Sequence, residues 1–179
     1  FETMVGMIDA AGGISHINHP GDWLGSANDE LVYDEDGNVM LTPNGDEMTK
    51  GYQIATDPGN VQFFARTIRK YDSCLGIEVY NSFDRPTSMD RVLWDELLKV
   101  IIPEGRNVWG FANNDAHGYY DIDTSFMDFV LPEYSPENLR TAMENGTFFA
   151  VSRYDAGERI ATEDAYPTVT CIAVDDDAD

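Results

Sequence analysis

Asp115 and His117 stand one residue apart at the end of the run Gly110-Phe-Ala-Asn-Asn-Asp-Ala-His117, where an apolar stretch breaks into polar residues. A carboxylate beside an imidazole is a donor pair for Zn, Mn or Fe rather than for a thiol-selective metal. On an extended backbone, side chains two apart leave the same side with Cα atoms roughly 6–7 Å apart, a gap that one ion or two neighbouring ions would fill. The same tripeptide also reads as a polar turn with a capping Asp and an exposed His, because short motifs recur by chance. A second stretch, Gly12-Gly-Ile-Ser-His-Ile-Asn-His-Pro-Gly21, weighs against chance. It too is an apolar strand running into a histidine, and Pro20 restricts His19 to an extended backbone where the imidazole leaves the strand. The chain has three histidines, His16, His19 and His117. His16 lies on the opposite strand face from His19 and reads as a packed or hydrogen-bonded residue beside the site rather than as a ligand.

Positioning these donors requires rigid elements, and the chain offers helix and strand in alternation. Apolar residues at 4, 5, 8 and 11 have helical spacing and stop at Gly12-Gly13. A strand over 14–18 comes next. From 21 to 56 the regular pattern fades, apart from a hairpin expected around Asp36-Gly37 between 31–33 and 39–41; this segment reads as an ordered insertion or lid. Asp57-Pro58 starts a helix over 58–70 with Val61, Phe64, Ala65 and Ile68 on its inner face. Residues 75–80 read as a fully buried strand ending at Asn81. Ser88 caps a helix over 89–101, and 108–112 is the strand that leads to Asp115. Ser135-Pro136 opens another helix that ends at Gly146, with a strand over 147–152 after it. Residues 168–174 alternate as an added β element. Polar residues therefore recur at the carboxyl ends of strands, where parallel α/β folds gather their sites.

Composition narrows the chemistry. A chain of 179 residues with 42% hydrophobic content can bury a real core. Thirty-three acidic residues against 11 basic give a formal charge of −22, which opposes non-specific binding to nucleic acid or to anionic membranes. Cys74 and Cys171 sit in apolar runs and read as core residues. No stretch is apolar enough to span a membrane, and no signal peptide is visible. The chain starts at Phe1 inside a helical pattern, which suggests a fragment of a cytoplasmic or secreted bacterial protein.

Gly12-Gly13 with Ile17-Asn-His-Pro-Gly21, Gly76-Ile-Glu-Val-Tyr-Asn81, and the run from Gly110 to His117 together resemble the later motifs of the PHP (polymerase and histidinol phosphatase) superfamily. The segment from Glu137 to Ala150 is similar to the one that comes after those motifs in free-standing members. The resemblance implies an α/β fold, a distorted seven-stranded (β/α) barrel of which this chain holds only the later strands and helices. Residues 1–153 would be the carboxyl-terminal part of the barrel, and 154–179 a linker and the start of an appended β element. It implies a hydrolase of phosphate esters acting on a small phosphorylated substrate, with a multinuclear Zn, Mn or Fe site. His19, Asp115 and His117 match the family's metal ligands, while Glu78, Asn81, Asn114 and His16 would support them or line the pocket, and Trp23, Tyr119 and Tyr120 would wall the substrate. The family's amino-terminal His-x-His and its further ligands have no counterpart, so the amino-terminal half of the barrel is expected as a missing partner. Two other readings remain open. One is a glycoside hydrolase with Glu78 and Asp115 as paired carboxylates; the other is a non-catalytic binding module that keeps the barrel.

Overall fold

The computed structural model describes residues 2–84, 89–155 and 157–160. Its centre is a parallel sheet of three strands in the order β1 (Ser15–Ile17), β2 (Cys74–Asn81) and β3 (Trp109–Asn113). The three strands match the expected parallel arrangement, with ends that differ from the sequence expectation by a residue. Parallel neighbours need crossover connections, and the apolar helices supply them. Helix α4 (Pro58–Lys70) starts as its sequence dictates: the Asp57 carboxylate accepts the N–H groups of Gly59 and Asn60 at 2.9 and 3.1 Å. Its Val61, Phe64, Ala65 and Ile68 are buried, as are Leu93, Leu97 and Ile101 of α5 (Asp90–Ile101). Both helices pack on Ile77 and Val79 of β2 in one core. The Ser88 cap and the 168–174 element lie outside the described residues, as does Cys171.

Close strand approach sets one side-chain choice. A Cβ at Gly76 would lie 1.9 Å from the carbonyl oxygen of Trp109, so only glycine lets β2 and β3 meet there. The Arg106 guanidinium fastens the end of α4 to the start of β2, donating to the carbonyls of Ile68, Tyr71 and Cys74. Cys74 is fully buried, as its apolar run requires, and burial pushes its thiol up to about 11.

The other face of the sheet is aromatic. His16 stacks on Phe111 at 4.4 Å with an 11° tilt, and Phe111 meets Phe148 at 5.1 Å. Phe148 lies on β5 (Phe148–Ser152), which pairs antiparallel with β4 (Ser125–Phe129) through the full register from Ser125↔Ser152 to Phe129↔Phe148. Helix α6 (Pro136–Asn145) joins those two strands; Ser135 accepts the Asn138 N–H at its start and Gly146 ends it in the left-handed conformation.

The structure departs from the sequence reading in three places. Helix α1 (Glu2–Ala10) buries only Val5, while Met4, Met7 and Ile8 are exposed. The 21–56 segment contains two helices that the fading pattern hid, α2 (Pro20–Leu24) and α3 (Lys50–Thr56). Between them the expected Tyr33↔Val39 pairing is joined by Leu41↔Glu47 and Leu31↔Thr49 bridges, a meander rather than one hairpin. Strands β4 and β5 are antiparallel, and no sheet among the described residues closes into a barrel. Short strands β6 (Tyr154–Asp155) and β7 (Glu158–Arg159) end the described chain, and none of its described helices is long and apolar enough to cross a membrane.

Candidate functional site

At the carboxyl ends of the parallel strands, one carboxylate joins all three. Glu78 is fully buried on β2, where it accepts the backbone N–H of His19 at 2.6 Å, the side-chain amide of Asn81 at 3.1 Å and that of Asn113. These donors belong to the turn after β1, to β2 itself and to the end of β3. Burial raises the Glu78 carboxyl above its ordinary range, and the three donors pull it back. From the sequence, Glu78 could support the ligands or line the pocket, or be buried beside a basic residue. Its partners are amides, and the basic residue has another carboxylate: Arg91 grips Asp84 with bonds of 2.7 and 3.1 Å and lies over the Tyr80 ring.

His19 is not extended. It has φ 29° and ψ 60° and caps α2, whose first residue is Pro20. Proline does disfavour the right-handed helical region before it, but the Glu78 bond and the start of α2 select the left-handed region instead of the extended one. The ring Nδ1 is buried without a hydrogen-bond partner and lies 3.9 Å from the Asp22 carboxylate.

The Asp115–His117 segment is also turned rather than extended. Strand β3 stops at Asn113, and Asp115 has φ 48°. The two side chains nevertheless come together, at the surface: His117 Nδ1 lies 2.7 Å from the Asp115 carbonyl oxygen and 4.0 Å from its carboxylate. Asn114 braces this turn, accepting the Ala116 N–H at 3.2 Å and donating to the Ile122 carbonyl. It holds the backbone rather than lining a pocket.

A second buried carboxyl was not legible in the sequence. Asp90 opens α5 with no exposed surface, and neither oxygen makes a well-formed hydrogen bond. A Cβ at Gly21 would lie 2.2 Å from Asp90 Oδ1 and 2.5 Å from Ser26 Oγ, so glycine is what lets the turn after His19 rest on α5. Burial pushes the Asp90 carboxyl up to about 8, with the charges of Glu78 and Asp84 adding to the rise and the Gly21 N–H and Arg91 opposing it. His16 is half-buried, its Nδ1 buried and unpartnered and its pKa lowered to about 4 by desolvation. It is packed, as expected, by stacking.

The aromatic residues do not form a common wall. Tyr119 and Tyr120 project into solvent at 95% and 74% exposure. Trp23 lines a cavity of about 650 Å³ with Ile17, Leu24, Phe63 and Phe64 on the α1 and α4 side. Asp115 and His117 therefore form an adjacent pair, and among the described residues no three His, Cys, Asp or Glu side chains are grouped as ligands of one ion.

Comparisons against family models, curated proteins and solved structures return no match for this chain.

Proposed function

We propose that this chain carries part of a metal-dependent phosphoesterase centre of the PHP kind. The observation that supports it most is the state of His117. Its Nδ1 is engaged by the Asp115 carbonyl, the arrangement that fixes a histidine tautomer and leaves Nε2 as a lone-pair donor. The Asp115 carboxylate lies 4.0 Å from Nδ1, so the two side chains are adjacent, and carboxylate with imidazole is by type a donor set for a divalent ion. His19, with a buried and unpartnered ring nitrogen after β1, on the far side of β2 from the Asp115–His117 turn, is the third candidate.

A bound divalent cation supplies the charge that brings a water's pKa toward neutrality and offsets negative charge developing on a phosphoryl group. The chain's own residues do the positioning. Glu78 holds the His19 backbone to the end of β3, Asp115 and His117 present their donors from one turn, and the left-handed conformation of His19 is a strained state kept in place by the Glu78 bond. Three donors are fewer than the four or so that each ion of a cluster takes. Further ligands would come from outside the described residues, and this chain alone would bind metal weakly and turn over no phosphoester.

A glycoside hydrolase fits less well, since Glu78 is buried under three donors and no proton-transfer role is open to it. The test is calorimetric titration of the purified chain with Zn and Mn, beside the variants Asp115→Ala and His117→Ala. Weak binding that falls at least about tenfold in either variant is the expected result. A wild-type chain that takes up no divalent ion, or variants that bind as well as it does, would rule the reading out.

A further inference from the structure

We infer that Asp121 is the residue that positions the Asp115–His117 pair, a role that rests on the metal-centre reading above. One oxygen of its carboxylate, Oδ2, accepts two consecutive backbone N–H groups, those of His117 and Gly118, both at 2.9 Å. Two successive N–H groups aimed at one point make an anion-binding nest, and here the anion is a side chain of the same loop. Asp121 is only 5% exposed although the loop it holds is at the surface.

Its own position is determined by the framework rather than by the loop. The Asp121 carbonyl accepts the Thr124 hydroxyl at 2.8 Å, and Ser125, the next residue, begins β4. The Ser125 hydroxyl in turn reaches the Ser82 carbonyl at 3.0 Å, just beyond the end of β2, and the Ser152 hydroxyl of β5 at 2.9 Å. A chain of hydrogen bonds thus runs from the strands to the backbone of His117. On the other side of the turn Asn114 holds the Ala116 N–H. Between these two braces lie the donors themselves, and the His117 side chain is 80% exposed, so packing does little to aim it. Without the Asp121 carboxylate, two N–H groups would turn to water and the direction of the imidazole would rest on its single bond to the Asp115 carbonyl. Asp121 touches neither ring nor metal-facing oxygen in this geometry; it acts through the backbone.

The experiment compares the wild-type chain with Asp121→Ala and Asp121→Asn in two measurements: Zn titration, and amide hydrogen exchange at His117 and Gly118 in metal-free protein. In Asp121→Ala, exchange at those two amides should rise at least about tenfold while core amides stay unchanged. Zn affinity should fall roughly 10–100-fold, and Asp121→Asn, whose carbonyl oxygen still accepts both bonds, should stay within about threefold of wild type. If wild type binds no Zn yet exchange rises in Asp121→Ala, the metal reading fails while the hold of Asp121 on the loop stands. If exchange is unchanged, or exchange rises with Zn affinity intact, the positioning role is overturned. Should Asp121→Ala not fold, Asp121→Glu, one methylene longer, decides in its place. Loss of affinity at an unchanged melting temperature supports the inference, and unchanged affinity overturns it.

Discussion

The turn at His19 and the turn at Asp115–His117 solve the same problem in different ways. Each comes after a strand of the parallel sheet, each contains a non-glycine residue at positive φ, and each has the backbone N–H of its histidine held by a buried carboxylate. They differ in where that carboxylate comes from. Glu78 lies 59 residues from His19, in the middle of the sheet, and also holds β3. Asp121 lies four residues from His117 and serves its own loop. The His19 turn is therefore part of the core, and its geometry cannot change without the sheet. The Asp115–His117 turn is a local device on the surface, free to change while the fold survives.

The largest effect that would separate the two is expected at Glu78. Glu78→Ala strands three donors at the sheet's end, one buried and two part-buried, and should cost roughly 3–5 kcal/mol in urea unfolding. A cost below about 1 kcal/mol would mean that the His19 turn is as independent as the other. Next comes Asp90, beneath the same turn. Its folded pKa of about 8 lies above the ordinary 3.8, so the folded protein holds this proton more tightly than the unfolded chain. That contribution to stability is full below about pH 4 and is lost as pH rises through about 8. Asp90→Asn cannot ionise, and should be more stable than wild type by about 2–4 kcal/mol at pH 9 with little difference near pH 4. Melting curves across that range check it, and parallel curves for the two proteins would refute it.

Smaller effects sharpen the contrast. His19→Gly removes an imidazole but relieves a strained backbone, so stability should rise by about 0.5–1 kcal/mol while Zn affinity falls. A drop in stability instead would show that the ring's packing outweighs the strain. Smallest of all, Tyr119→Ala and Asp115→Ala should each change unfolding free energy by less than about 0.5–1 kcal/mol, as exposed positions on a local turn do. Thermal melts of the pair would expose any hidden structural role.

What the sequence determined by itself was the set of larger rigid elements, though not α2, α3 or β4. Asp57-Pro58 and Ser135-Pro136 carry their helix starts within a few residues, Gly146 carries a helix end, and the spacing of Val61, Phe64, Ala65 and Ile68 shows a buried face without reference to anything distant. Local chemistry decides such features, so local reading finds them. The placement of His19, Asp115 and His117 just past strand ends was legible for the same reason. Tertiary structure alone decided how they are held. The extended backbones expected at His19 and Asp115 are replaced by left-handed ones, because strained dihedrals persist only where surrounding contacts over-determine them. Glu78 could be assigned amide partners, Asp84 its arginine and Asp90 none only once segments far apart in the chain were brought together. The exposed Tyr119 and the burial of only Val5 on α1 have the same origin: an apolar or aromatic residue states that it can be buried, and the neighbours that the fold supplies determine whether it is.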